Sequence, residues 1–302
     1  MITLFSMPKP FSGHIQVIQM NALQSWVRLS PHCEIILFGN EEGVAEAASC
    51  CKVQHVPEVL RNQYGTPLLN DLFEKAYTKA THNIMCYVNA DIILMSDFMR
   101  AVERFSQWEK PFLVVGRRWD TDFEKLLDFE QCNWEERLRV YVKQRGKLRP
   151  PASIDYFVFP RGLYKDMPTI AIGRAFFDNW LLWKAHSLGA WLVDASEVIM
   201  AVHQNHDYSH HPGGWKGVYE GPEAKQNIKL AGGWRHGFTI SETTYRLTPT
   251  RLKRKLLNLN PGLRRHWEVA IWWLRQWAHL FLVRTKLDLL LKPIRKVSRM
   301  FI

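Results

Sequence analysis

The chain has no Cys-x-x-Cys pair and no zinc-like cysteine–histidine spacing. Its five cysteines (Cys33, Cys50, Cys51, Cys86, Cys132) are an odd number. A disulfide framework is therefore not expected, and the pattern points to a reducing compartment. No apolar run reaches the ~20 residues that a membrane-spanning helix needs. The first eight residues, Met1 to Pro8, lack both a basic n-region and a long h-region. They predict a first strand rather than a signal peptide. Basic charge is missing from most of the chain. Residues 249–302 hold 13 of the 40 Lys and Arg but only 2 of the 29 Asp and Glu, a balance of +11. The other 248 residues keep 27 of each sign and sum to zero. A body that binds nucleic acid would show its own basic surface, so that class is disfavoured. There is no internal repeat and no low-complexity segment.

What is present is enough apolar material for one large domain, or a domain with an appendage: 47% of 302 residues are hydrophobic. Ile2–Ser6, Glu34–Gly39, Val53–Val56, Met85–Val88 and Phe112–Gly116 are short apolar runs that predict strands. Between them, His14–Arg28, Val44–Ala48, Leu68–Ala80 and Phe98–Phe105 carry apolar residues at helical spacing. Strands that are apolar on both faces and alternate with helices predict a parallel sheet covered on both sides. Ligands of such sheets bind beyond the carboxyl ends of the strands, here near Ser6 to Lys9, Gly39 to Glu41 and Asn89 to Asp91. Further on, Phe123–Gln144 and Arg174–Leu188 read as helices and Trp191–Val193 as a strand. Residues 203–211 then form a polar, histidine-dense stretch (His203, His206, His210, His211).

Three acids sit in aromatic or aliphatic surroundings: Asp91 in Cys86–Leu94, Asp155 in Ser153–Phe159 and Asp178 in Phe176–Trp180. A buried carboxylate without a partner is costly, so each should meet a cation, a metal or a set of donors. Such a spread of acids fits a metal-assisted site assembled from several segments. The bland alternatives are a strand-end turn for Asp91, a solvated helix acid for Asp178 and a structural arginine pair for Asp155. Trp119 is either core or a stacking platform for a sugar ring.

The order of elements and the Asn89-Ala90-Asp91 triplet after the fourth strand resemble the GT-A class of nucleotide-sugar-dependent glycosyltransferases, glycosyltransferase family 2-like members included. The resemblance covers roughly residues 1–215. It implies an α/β fold with a mostly parallel, Rossmann-like sheet flanked by helices. It also implies a domain over 1–248, with a nucleotide-sugar-binding half (1–116) and an acceptor half (117–248). In that class an Asp-x-Asp triplet holds a divalent metal against the donor diphosphate. Here the first acid is Asn89, and the acid usual after the second strand is replaced by Gly39-Asn40-Glu41. The resemblance makes Asp91 a ligand of Mn²⁺ or Mg²⁺, with His203 or His206 closing the shell; both ions favour oxygen, and Mn²⁺ tolerates an imidazole. Asp178, at a helix start, takes the place of the base that activates an acceptor hydroxyl. Asp155 is expected on sugar hydroxyls of donor or acceptor. Arg117, Arg118 or Lys9 is expected on phosphate, and Ser6, Asn40, Asn89 and Ala90 around the donor.

From Pro249 the composition changes. Trp267–Leu291 is apolar and aromatic, with Glu268, Arg275, His279 and Lys286 on one narrow helical face and basic residues at both ends. This predicts a basic amphipathic helical tail over 249–302 lying on an anionic membrane surface. The whole reads as a cytoplasmic-facing, peripheral membrane glycosyltransferase, as in polysaccharide biosynthesis. It would take a nucleotide-sugar donor and a glycan or lipid-linked acceptor. Two rivals remain. A sugar-nucleotide nucleotidyltransferase would show a Gly-rich basic loop after the first strand, where Met7–Gly13 has no glycine run. A non-enzymatic lipid-binding protein would make Asp91, Asp155 and Asp178 dispensable.

Overall fold

A computed structural model describes residues 1–208, 212–255, 269–271 and 274. The chain divides into one compact unit over Met1–Leu259 and a second over Asn260–Ile302. Most of the amphipathic tail helix expected from the sequence, together with His210 and His211, lies outside the described residues; within it residues 269–271 and 274 are helical. Among the described residues no helix is long and apolar enough to cross a membrane.

The first unit is built on a nine-stranded sheet. Its strands are β1 (Ile2–Ser6), β2 (Glu34–Phe38), β3 (Gln54–Val56), β4 (Ile84–Val88), β6 (Phe112–Val115), β9 (Tyr156–Pro160), β10 (Trp191–Asp194), β12 (Tyr245–Leu247) and β13 (Leu252–Arg254). Their spatial order is β13-β12-β10-β6-β9-β4-β1-β2-β3. Neighbours pair in parallel except at β9, which runs antiparallel to β4 and β6, and at the edge strand β13. The α/β class with a mostly parallel, helix-flanked sheet is therefore the one expected.

Alternate residues of each strand feed two cores. On one face Leu4, Leu37, Cys86 and Val158 pack against α1 (Gly13–Val27), α2 (Val44–Cys51) and α4 (Ser96–Glu103). On the other, Phe5, Ile36, Tyr87 and Phe159 pack against α3 (Leu69–Lys79) and α6 (Phe177–Ser187). Period-two side chains with both faces apolar leave no solvated side, which is why the strands read as unbroken hydrophobic runs.

A second sheet was not expected. β5 (Ile92–Ile93), β7 (Arg118–Thr121), β8 (Lys147–Leu148) and β11 (Ala201–Gln204) pair in the order β5-β11-β7-β8. Its strands are too short to show a period, and all three of its pairings are non-local. The helix expected over Phe123–Gln144 is shorter, α5 at Trp134–Arg145. Ahead of it the Asn21 side chain accepts from Leu127 N at 2.8 Å and donates to Lys125 O at 3.2 Å, while Asp128 Oδ1 accepts from Glu130 N. Tertiary and side-chain partners take the backbone groups a helix would have used. After α6, α7 (Gly214–Glu220) and α8 (Pro222–Leu230) precede the edge strands. The chain past residue 248 continues as β13, paired on β12, and Lys255 Nζ lies 3.0 Å from Asp194 Oδ2.

Candidate active site

The triplet Asn89-Ala90-Asp91 is the turn between β4, in the large sheet, and β5, in the small one. Asn89 N donates to Asp155 O at 2.9 Å, one step beyond the β4–β9 ladder, and Asn89 Nδ2 donates to Asp155 Oδ1 at 2.6 Å. Register then assembles the rest. Ile92 on β5 faces His203 on β11, and His203 faces Asp120 on β7. Asp91, His203 and Asp120 are thus neighbours because three short strands lie side by side. The Asp91 backbone is held by Gln204, whose N and Nε2 donate to Asp91 O at 3.3 and 3.2 Å.

Asp91, His203 and His206 each turn one ligand atom inward, all within 4.8 Å of one another. Asp91 Oδ2 is 3.1 Å from His206 Nε2 and 3.7 Å from His203 Nε2. Asp91 Oδ1 is buried without a hydrogen-bond partner. Burial alone would raise the Asp91 pKa, yet His203, His206 and Lys9 together hold it well below the carboxylate range. His206 Nδ1 lies 2.6 Å from Asp207 O, so an Nδ1–H donated there would free Nε2 for a cation. Nε2 is also 3.1 Å from Lys9 Nζ. Burial lowers the Lys9 pKa against the pull of Asp91, Asp155 and Asp207. His203 Nδ1 is 3.3 Å from Asp120 Oδ1, so a carboxylate backs the imidazole and turns Nε2 toward Asp91.

An orphaned buried carboxylate oxygen beside two inward imidazole nitrogens is a donor set that fits a divalent cation. One carboxylate and two imidazoles suit Mn²⁺ better than Mg²⁺, which demands a near-complete oxygen shell.

Asp155 has a partner of its own. Only 4% exposed, it receives both Arg118 Nη1 contacts, at 2.9 and 2.8 Å. Arg118 Nε also donates to Asp120 Oδ1 at 2.8 Å. Asp120 is held low, against burial, by its 3.3 Å contact with His203 and by Arg118. Asp178 stands half-buried in the first turn of α6, with its Oδ1 accepting from Asn179 N at 2.9 Å. Burial, aided by the negative charge of Asp155, pushes its carboxyl up to about 7. The buried Tyr87 phenol is pushed up by burial first, then by the charges of Asp91, Asp155 and Asp178. The three acids singled out by sequence therefore all lie within electrostatic reach of Tyr87.

No protein-family model matches the chain. No curated protein matches it either. It is similar in structure to glucosyl-3-phosphoglycerate synthase from Mycobacterium tuberculosis in complex with Mn²⁺, uridine diphosphate and glucosyl-3-phosphoglycerate. There the identity is 12%, the match covers 77% of this chain and 80% of that one, and the TM-score is 0.47. The same enzyme with Mg²⁺ and uridine diphosphate gives 13% identity, 77% and 79% coverage, and a TM-score of 0.45. TarS from S. aureus gives 10% identity and a TM-score of 0.45 over 68% of this chain and 36% of that one. What the site can do follows from its own side chains.

The remaining sequence-predicted residues divide. Lys9 joins the cluster. Ser6 is fully buried, and its Oγ donates to Val88 O at 2.6 Å, a strap between β1 and β4. Asn40 is exposed at the end of β2, and its Oδ1 accepts from Arg61 Nη2 at 3.2 Å. Just before it, Gly39 has a φ of +97°, and a Cβ there would run into Met7 and Glu41. Ala90 is part of the turn and offers only its backbone. Arg117 points elsewhere, with its Nε donating to Arg149 O at 2.5 Å. Of the two adjacent arginines it is Arg118 that reaches the acids. Of the two histidines left open, both arrive. Asp120 was missed: it sits in a short strand of the unexpected sheet, and no spacing in the sequence marks it.

Proposed function

We propose that the protein is a glycosyltransferase of GT-A type that moves a sugar from a nucleotide-diphosphate donor to a hydroxyl acceptor. The observation that carries this reading is the presence of two unlike carboxylates, one past the carboxyl end of β4 and one in the first turn of α6. Asp91, held ionised, faces two imidazoles, and Asp178, raised to about 7, feels the charge of Asp155. One is suited to bind a cation, the other to accept a proton near neutral pH.

In this mechanism Asp91, His203 and His206 would hold the metal. When bound, it supplies positive charge against the negative charge that grows on the leaving diphosphate. Lys9, with its lowered pKa, lies where a donor phosphate would pass and adds a hydrogen-bond donor. Arg118 locks Asp155 and Asn89 into one rigid wall, so Asp155 contributes orientation for sugar hydroxyls. Asp178 takes the proton of the acceptor hydroxyl. The bond from the sugar anomeric carbon to the diphosphate oxygen breaks, and the bond to the acceptor oxygen forms. The nucleoside diphosphate leaves with the electron pair.

We further propose that residues 249–302, with their excess of 11 positive charges, attach the enzyme to the cytoplasmic side of an anionic membrane. A lipid-linked saccharide is the acceptor that such a placement favours.

The test is a titration of the full chain with uridine diphosphate and UDP-sugars, with and without Mn²⁺, in wild type and Asp91→Ala. Metal-dependent binding of a donor, at least tenfold weaker in Asp91→Ala, is the expected result. A folded wild-type protein that binds no UDP compound, and no other nucleoside-diphosphate sugar offered next, would sink the transferase reading in favour of the lipid-binding one.

A further inference from the structure

Large aromatic side chains left in water near an active site call for a ligand with an apolar face. Trp215 is 51% exposed and Tyr219 41% exposed. Both belong to α7, on adjacent turns, and their rings stack at 5.0 Å between centroids with 27° between planes. The pair is joined to the cluster by a run of rings. Tyr219 OH is 3.1 Å from Tyr208 OH, and the Tyr208 ring is 5.9 Å from that of His206, a member of the metal-binding set. On the other side, α7 is pinned to the segment that carries the base. Val218 is buried, and its carbonyl accepts from Ala175 N at 3.2 Å, three residues before Asp178. The intervening Phe176 adopts a φ of +84°, a left-handed conformation that a bulky side chain rarely takes and that clusters at functional sites. The Tyr219 phenol is raised by burial first, then by its Tyr208 contacts and the charge of Asp178, so the platform lies within electrostatic reach of the base.

We propose that the Trp215–Tyr219 pair is the acceptor platform and stacks on the apolar face of a pyranose ring, so that the acceptor is a saccharide and not an acyclic alcohol. This rests on the transferase reading and narrows its acceptor to one chemical class. A sugar ring presents axial C–H groups to an aromatic face while its hydroxyls stay free for hydrogen bonds, as it must if one of them is to reach Asp178. An acyclic alcohol offers no flat face and gains little from two stacked rings.

Saturation-transfer-difference NMR on the full chain tests this. The probes are the methyl glycosides of glucose, galactose, mannose and N-acetylglucosamine, with glycerol as an acyclic control and uridine diphosphate and Mg²⁺ present. Wild type should transfer saturation to the ring C–H protons of at least one glycoside and not to glycerol. Trp215→Ala should lose that signal fivefold or more, and Trp215→Phe should keep most of it. Far-UV circular dichroism confirms that both variants fold, as expected for a half-exposed position. Equal signal in Trp215→Ala, equal signal from glycerol, or no glycoside signal from a wild type that binds uridine diphosphate would each overturn the platform. Failure of the nucleotide titration itself would instead overturn the transferase reading beneath it.

Discussion

At the scale of the residue, the protonation of Asp178 has two consequences with opposite signs. A base must be ionised, so the transfer rate should rise as pH passes about 7, and Asp178→Asn should remove that limb and lower kcat by ~10²- to 10⁴-fold. The same raised pKa means that the folded state holds this proton more tightly than the unfolded chain, whose value is the ordinary 3.8. Stability contributed by the group is then present below 3.8 and lost as pH climbs toward 7. Asp178→Asn should therefore raise Tm at pH 8 but not at pH 3.5, a comparison that thermal scans make directly. Asp120 acts one step further out, through His203. Asp120→Asn keeps a polar group beside His203 Nδ1 but removes the charge, and Mn²⁺ affinity should fall by about 10- to 100-fold. Mn²⁺ paramagnetic resonance titration measures it, and an unchanged affinity would show that His203 needs no carboxylate behind it.

At the scale of the element, the site is held by a buried polar network across α1, β11 and the Asp91 turn. Asn21 Nδ2 donates to Gln204 Oε1 at 2.9 Å, and Gln204 Nε2 donates to Ile18 O at 2.6 Å and to Asp91 O at 3.2 Å. Both side chains are fully buried. Gln204→Leu would take one partner each from Asn21 Nδ2 and from the Ile18 and Asp91 carbonyls, an expected loss of about 1–3 kcal/mol. Urea unfolding should show it as a lower midpoint, accompanied by weaker metal binding because the Asp91 turn keeps only its backbone bond to residue 204. The same network explains why the charged stretch before α5 does not become helical. Asn21 takes the Leu127 amide and the Lys125 carbonyl from a distance of about a hundred residues, and propensity is only a weak prior against such a partner. Long, strongly periodic segments such as α1 and α3 were legible because their packing face is written in their own spacing. The two-residue strands β5 and β8 carry no such record.

At the scale of the whole molecule, the boundary between the body and the basic tail falls later than the shift in composition. Residue 249 opens the basic region, yet β13 pairs on β12, and Lys255 Nζ lies 3.0 Å from Asp194 Oδ2. A chain cut after Lys255 should keep the Tm of the full protein, whereas one cut after Thr248 should melt lower because the edge strand and a buried acid lose their partners. If the tail is the membrane anchor, the full chain should co-sediment with phosphatidylglycerol vesicles at low salt and be released by high salt, and the chain ending at Lys255 should stay in solution. Co-sedimentation of the shorter chain would move the membrane contact onto the body, which with Arg251, Lys253, Arg254 and Lys255 carries a balance of only +4.

The sequence by itself determined the class of the fold and the identity of the acids. Strands that are apolar on both faces admit only a sheet covered on both sides, and a carboxylate set among aromatics must find a partner wherever it lands. Asp91, Asp155 and Asp178 are readable for that reason, as is the concentration of positive charge after residue 248. Only the tertiary structure decided what each acid partners. Asp155 meets Arg118, Asp91 meets two imidazoles, and Asp178, which among the described residues meets no cation at hydrogen-bonding distance, keeps its proton to about 7. Those outcomes depend on pairing between β5, β11 and β7, separated by up to a hundred residues. Register across such gaps is set by packing, which leaves no local pattern in the chain.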